Sequence, residues 1–414
     1  MSTTSPSTAG LAIAREGPEV GRSLRLVELL RADRLDVLLV AEPVNLRYLT
    51  GFTGTNGLAL IPAADERRPR FLTDFRYATQ SLAQLPELYE REIVTVDLLR
   101  AAAAMLAPEN ADDDTAGGAR GDPGATSQGA AAANPAEPWP ASGAVRLGFD
   151  DAAVTVKQHD RLRELLGERF ELVPSAGLVE GLRELKDAAE VARIAAAAEL
   201  ADEALRGLLE AGIVGRSERD VAIDLEARMR RLGATAPSFP SIVAAGEHSA
   251  LPHAEARELP IPRDTLVTID WGARHDGYCS DCTRTYATGE RLPEQAREVY
   301  ELVLRAQRAG VAAVRPGPEG REVDAVARQV IEDAGHGEHF GHGLGHGVGL
   351  EVHEAPRLSR IDSEQPLRAG HVVTVEPGVY IPGAFGVRIE DLLLVTDDGH
   401  RVLSGLPKEL TTID

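Results

Sequence analysis

Cysteine is almost missing from this chain: Cys279 and Cys282 are the only two in 414 residues. So few thiols build no disulfide framework, which fits a reducing compartment. A lone C-x-x-C with no second pair makes no structural zinc site, so both are expected to be packing residues. Aromatic residues are also scarce, at 4%. Packing must then be aliphatic, and 40 Gly with 25 Pro imply many turns. No apolar run approaches the roughly 18 residues that span a membrane. The first 20 residues hold no signal-peptide core. The expected location is the cytoplasm. Basic residues are outnumbered, 44 Lys and Arg against 65 Asp and Glu, for a net charge of -21. That balance argues against nucleic acid or an anionic membrane as partner.

Enough apolar residues are present, 43%, for a sizeable core. The length suits two domains. Residues 1–20 are rich in Ser, Thr and Ala and are expected to be disordered. From residue 21 the pattern is regular. Helical stretches at 24–32, 76–85, 97–106 and 156–166 alternate with strand runs at 36–40, 69–74, 92–96, 145–149 and 170–174. Such alternation predicts an α/β domain with a central sheet over 21–176. Residues 107–142 interrupt it with Ala, Gly, Pro, Asp, Asn and Ser. That composition cannot offset its ordering entropy and reads as a flexible surface insertion. A second domain, 177–414, opens with helices at 186–211 and 217–232. Ser217 is the expected N-cap of the latter, with Asp220 a weak substitute for the Glu of a capping box. Strands and glycine-rich turns follow, with helices at 293–309 and 320–334.

Acids in this second domain sit at the ends of apolar strands. Thr265-Leu-Val-Thr-Ile-Asp270 is one, and Asp276-Gly277 is a hairpin turn after it. A hairpin centred between 275 and 276 sets Asp270 directly opposite Asp281. Centring it on Asp276-Gly277 makes Asp281 a diagonal neighbour. Either register leaves both aspartates on one face. Opposed carboxylates repel, and a cation between them relieves that. Alone, the pair is equally well a solvated acidic turn. Gly341-His-Gly-Leu-Gly-His-Gly-Val-Gly349 excludes a helix. Extended, it places His342, Leu344, His346 and Val348 on one face. His353 follows. Val372-Val-Thr-Val-Glu376 and Gly386-Val-Arg-Ile-Glu390-Asp-Leu-Leu-Leu-Val395 bring two more acids. Glu390 reads as lying inside an apolar strand, where an ion pair with Arg388 is the plain explanation.

Four carboxylates and an imidazole favour Mn, Fe or Co over a thiolate zinc site. Their charge balances two divalent ions, and dinuclear centres hydrolyse peptide bonds as well as phosphates. The ligand set alone therefore gives a hydrolase.

These segments, with Ser238-Phe-Pro-Ser-Ile-Val-Ala-Ala-Gly-Glu-His-Ser-Ala-Leu-Pro-His253, resemble the pita-bread (M24) metallopeptidases. That family includes methionine aminopeptidase, aminopeptidase P and prolidase. Tyr48-Leu-Thr-Gly-Phe-Thr-Gly-Thr-Asn-Gly57 and Leu72-Thr-Asp-Phe-Arg-Tyr77 resemble the creatinase-like N-terminal domain of the proline-specific branch. The resemblance implies an α/β creatinase-like domain followed by an α+β pita-bread catalytic domain. It implies that Asp270 holds one metal ion and that His346 and Glu376 hold the other. Asp281 and Glu390 bridge the two. Manganese is the first choice, with Co, Fe or Zn as substitutes. A hydroxide between the ions is the implied nucleophile, and Glu376 relays the proton. His253 and His353 steady the oxyanion and leaving nitrogen. His342 and Arg388 line the site and position proline. The implied substrates are short peptides with proline second, and the implied assembly is a homodimer. Gly51-Phe-Thr-Gly54 favours an Xaa-Pro aminopeptidase over a dipeptidase (prolidase). The rival readings are an inactive binding module on this fold and a metal-free amidinohydrolase resembling creatinase. Neither needs all five ligands.

Overall fold

The computed structural model describes residues 17–108, 143–361 and 365–414. The chain divides into two compact units, Met1–Leu182 and Arg183–Asp414. The division falls a few residues beyond the expected boundary near Gly177. The insertion at 107–142 lies outside the described residues apart from its first two positions.

Unit 1 is built on a six-stranded sheet. Its strands are β1 (Val37–Val40), β2 (Leu58–Pro62), β3 (Arg70–Asp74), β4 (Glu90–Val94), β5 (Val145–Phe149) and β6 (Phe170–Pro174). They run in the order β4-β3-β2-β1-β5-β6. The all-apolar β1 is central and wholly buried. It pairs antiparallel with β2 and parallel with β5. β4 begins two residues earlier than the apolar pattern predicts, because parallel pairing with β3 sets its register at Arg70 opposite Glu90.

The first helix runs Pro18–Ala32, starting inside the stretch expected to be disordered, with Pro at its first turn and Glu19 beside it. A helix that the pattern did not predict, Pro43–Thr50, carries the Tyr48-Leu-Thr motif and stops at Gly51 in the left-handed conformation, φ 72°. Val156–Leu166 forms as expected. Thr155 and Gln158 close a full capping box on it.

Unit 2 opens with helices Ala188–Glu210 and Glu218–Arg231. Ser217 caps the second through the Asp220 amide. The strands that follow are β7 (Ala236–Pro237), β8 (Ile242–Ala245), β9 (Leu266–Trp271), β10 (Ala273–His275), β11 (Tyr278–Cys279) and β12 (Cys282–Ala287). After helices Glu294–Ala313 and Gly320–Asp333 come β13 (Gly345–Gly347), β14 (Glu354–Leu358), β15 (Val372–Val375), β16 (Gly378–Ile381), β17 (Phe385–Arg388), β18 (Asp391–Val395) and β19 (His400–Val402). They form a β12-β9-β8 sheet, a β11-β10-β7 sheet, a five-stranded β14-β13-β15-β18-β19 sheet and a β16-β17 ribbon. One core joins the 188–210 and 218–231 helices to β8, β9 and β12 through Leu205, Leu225, Val267 and Trp271. A second joins the later helix pair to β13, β15, β17 and β18 through Val303, Ile331, Leu344, Val375 and Leu393.

Candidate active site

The site residues collect where strands stop or change sheet. Asp270 is near the end of β9, and Asp281 lies in the gap between β11 and β12. His346 is the middle residue of β13. Glu376 lies between β15 and β16, and Glu390 between β17 and β18. In a continuous ladder these acids would alternate with apolar residues against a packed face. At a break the backbone re-aims the side chain.

The hairpin adopts the register centred on Asp276-Gly277, with Thr283 rather than Asp281 opposite Asp270. His275 pairs with Tyr278 in the same register. Asp276 takes φ 49° and Gly277 φ 86°, the left-handed pair that such a turn requires. Asp281 is therefore offset, and the return strand is not continuous as expected. Gly272 lets the two chains approach closely at the break. A Cβ there would stand 2.0 Å from the Ser280 carbonyl oxygen.

The His–Gly run also departs from the simple pattern. Only Gly345–Gly347 is strand, with a register shift at His346/Gly347. Leu344 and Val348 are fully buried, and Leu344 joins the core, so they do not share a wet face with the histidines. His346 Nε2 lies 3.3 Å from Glu376 Oε1 and 3.5 Å from Asp281 Oδ2. One ligand atom each from Asp281, His346 and Glu390 fall within 4.8 Å of one another. His342 donates or accepts at Tyr380 Oη, 2.9 Å away.

Arg388 does not pair with Glu390. Its Nη2 donates to Asp270 Oδ2 at 2.7 Å, Nη1 to Tyr380 Oη and the Pro252 carbonyl, and Nε to Thr283 Oγ1. It is buried and makes four hydrogen bonds. Its bond to Asp270 orients that carboxylate. Glu390 instead accepts from the Thr283 hydroxyl at 2.7 Å.

Burial, then the neighbouring carboxylates, push Asp281 and Glu390 well above the usual range. Burial also raises Asp270, partly offset by Arg388. Glu376 goes the other way. Against the cost of burial, its hydrogen bond and charge contact with His346, with His342 and Arg388 behind, hold it at about 2. His346 is raised by the same contact, which outweighs its burial.

His353 stacks edge-on against His346, ring centroids 4.3 Å apart. The loop before it is held by Glu354. That carboxylate accepts from Arg183 at 2.5 Å, Lys186 at 3.1 Å and the Glu351 amide at 3.0 Å. His253 lies on an exposed turn, close enough to bear on the charge of His353. Sequence reasoning missed Tyr380. Its place in Gly378-Val-Tyr-Ile, directly after Glu376-Pro377, was the available signal. Cys279 and Cys282 are free and buried, as expected of packing residues.

Residues 192–397 match Metallopeptidase family M24, and residues 22–185 match the Creatinase/Prolidase N-terminal domain. The "Uncharacterized peptidase YqhT" of Bacillus subtilis is 39% identical over 378 residues, 91% of this chain and 95% of that one. The chain belongs to metallopeptidase family M24. Among M24 relatives, an Xaa-Pro dipeptidase of Pyrococcus furiosus is 45% identical over 233 residues, 56% of this chain and 66% of that protein. The solved Xaa-Pro dipeptidase from Bacillus anthracis superposes with a TM-score of 0.82 at 37% identity, over 95% of this chain and 99% of that one. The X-Pro aminopeptidase from Thermotoga maritima gives 0.77 at 29%, over 92% and 99%.

An M24 enzyme is a hydrolase that uses divalent metal, and the residues here fit one. Asp270 Oδ1 and Glu390 Oε1 are buried without a hydrogen-bond partner among the described residues. Buried carboxylate oxygens are rarely left so, because an orphaned acceptor carries its full desolvation penalty. A hard cation is the partner that oxygen ligands of this kind favour.

Proposed function

We propose that this M24 peptidase is a metal-dependent Xaa-Pro dipeptidase. Arg357 carries the reading. It stands directly across the β13–β14 ladder from His346, so the two side chains share a face. It is exposed and has no acidic partner among the described residues. Its charge bears on His353. A free guanidinium beside the candidate centre suits the terminal carboxylate of a dipeptide. A longer peptide carries no carboxylate at that position. The relatives named Xaa-Pro dipeptidase support the same choice.

The aminopeptidase expectation drawn from Gly51-Phe-Thr-Gly54 gives way. Gly51 caps a helix, and Phe52 packs on Phe71 at 4.8 Å and on Tyr77 at 5.6 Å. Gly51 and Phe52 are thus accounted for by packing in unit 1.

Asp270 would hold one ion, His346 and Glu376 the other, with Asp281 and Glu390 between them. When bound, two such ions supply Lewis acidity and acidify water. Manganese is the preferred metal for this oxygen-rich set. Hydrolysis adds water across the bond. The carbonyl carbon gains an oxygen, the C–N bond breaks, and the proline nitrogen takes a proton that Glu376 carries. His253 and His353 donate to the developing oxyanion. Arg388 and Tyr380 keep Asp270 and His342 in place.

Protein purified without chelator and supplied with Mn²⁺ is assayed on Xaa-Pro dipeptides and on Xaa-Pro-Yaa tripeptides. The expected result is cleavage of dipeptides alone. Release of residue one from tripeptides at comparable kcat/KM overturns the dipeptidase reading. Arg357→Ala is expected to raise KM for dipeptides at least tenfold, with a smaller effect on kcat.

A further inference from the structure

His253 sits on a turn with no ladder to hold it, between β8 and β9. What fastens that segment is a carboxylate remote from the candidate centre. Glu218, the first residue of the 218–231 helix, is 1% exposed. It accepts from the Ala245 amide at 2.9 Å and from His248 Nδ1 at 2.9 Å. It also accepts from the Arg257 amide at 3.0 Å and from Arg257 Nε and Nη2 at 3.1 Å. One side chain thus gathers donors from both sides of His253. Two further ties run to β17 and to the site. Ser249 Oγ accepts from the Gly386 amide at 2.8 Å, and Arg388 Nη1 donates to the carbonyl of Pro252 at 3.1 Å.

We propose that Glu218 is a positioning residue for His253. It closes the 245–257 segment into a fixed loop and so sets where that imidazole stands. The proposal rests on the peptidase reading above, in which His253 donates to the oxyanion. The physical reason is the ordering of a short loop. A mobile imidazole loses rotational and translational freedom at the moment of reaction, whereas a fixed one has already lost it. Closing the loop through one buried anion satisfies main-chain amides that a strandless segment would otherwise leave to water. Glu218 touches no reacting atom. Its removal should act on turnover through the placement of His253.

That is the content of a double-mutant cycle. Glu218→Gln keeps the size and one acceptor oxygen but presents an amide N–H₂ to Arg257 and His248. It is expected to lower kcat about tenfold with little change in KM, at unchanged metal content. His253→Ala alone should cost at least as much. The double variant should be no worse than His253→Ala, because the loop then positions nothing. Multiplicative effects of the two substitutions would overturn the proposal.

Arg257→Ala, which opens the far end of the loop from a half-exposed position, should behave as Glu218→Gln does in the same cycle. It serves where Glu218→Gln fails to fold. Amide hydrogen exchange gives a readout independent of turnover. Exchange of the Leu251 amide, which donates to the His248 carbonyl, should quicken at least tenfold in either variant while the 188–210 helix is unchanged. Unchanged exchange at Leu251 sinks the proposal. Wild-type protein that cleaves no Xaa-Pro peptide refutes the peptidase reading, and exchange then decides on Glu218 by itself.

Discussion

A single arginine shows how the site is held at the scale of the residue. Arg388 is buried, and its guanidinium bridges Asp270, Tyr380, Thr283 and the Pro252 carbonyl. Removing one partner of a buried ion pair leaves the other uncompensated, a cost of about 3–5 kcal/mol. Arg388→Ala is therefore expected to release Asp270 from its orientation. Metal content measured after dialysis should fall, and kcat/KM should drop at least a hundredfold. Full metal content with normal turnover would refute the role given to Arg388.

His371 makes a different statement. Its imidazole is 1% exposed, and Nε2 has no hydrogen-bond partner among the described residues. Burial first, then the charges of Arg368 and Lys186, lower it to about 4, while Glu184 stands 3.9 Å off. Between about 4 and the unfolded value near 6.5, the unfolded chain binds the proton and the folded one does not. Stability from this group is present above about 6.5 and is lost as pH falls through that window. The loss is at most about 3 kcal/mol, at about 1.4 kcal/mol per pH unit. His371→Leu should flatten urea-melt stability between pH 6.5 and 4. An unchanged slope refutes this assignment.

At the scale of the element, the glycines around His346 decide how close two strands approach. A Cβ at Gly345 would stand 2.0 Å from the Thr374 carbonyl oxygen, and one at Gly347 would stand 2.2 Å from that of Ala355. Both obstacles are backbone, so neither can swing aside. Gly345→Ala is expected to push β13 off β15. Such overpacking costs about 1–3 kcal/mol or more. His346 would move with it, so metal affinity should fall together with the melting temperature. Unchanged affinity and stability would show that this close approach is not needed.

The same region shows what was legible in the sequence. The alternation of glycine and histidine announced an extended chain and a candidate ligand. It could not announce the bulge at His346/Gly347, which depends on where β14 pairs. Likewise Asp276-Gly277 announced the turn. The choice between two registers, and with it the offset of Asp281, shows only in the pairing of His275 with Tyr278 and of Asp270 with Thr283.

For the whole molecule, buried acid is the dominant feature. The mutual repulsion of Asp270, Asp281, Glu376 and Glu390 opposes folding unless cations offset it. Metal that binds the folded state alone stabilises it by mass action. Dialysis against EDTA should lower the melting temperature by several degrees and abolish hydrolysis. Excess Mn²⁺ should restore both. A melting temperature indifferent to chelator would count against a metal centre.

Sequence alone determined the chain's two-part plan, most helix positions and which acids and histidines to look for. These follow from local rules: apolar period, capping residues and turn chemistry act within a few positions. Tertiary structure decided the rest. It turned Arg388 from the expected partner of Glu390 into the holder of Asp270. It brought Tyr380 beside His342, placed Arg357 opposite His346, and tied Glu218 to both ends of the His253 loop. Each of those relations joins residues 11 to 118 positions apart. No local pattern encodes them, because their energy comes from partners that only the folded chain brings within reach.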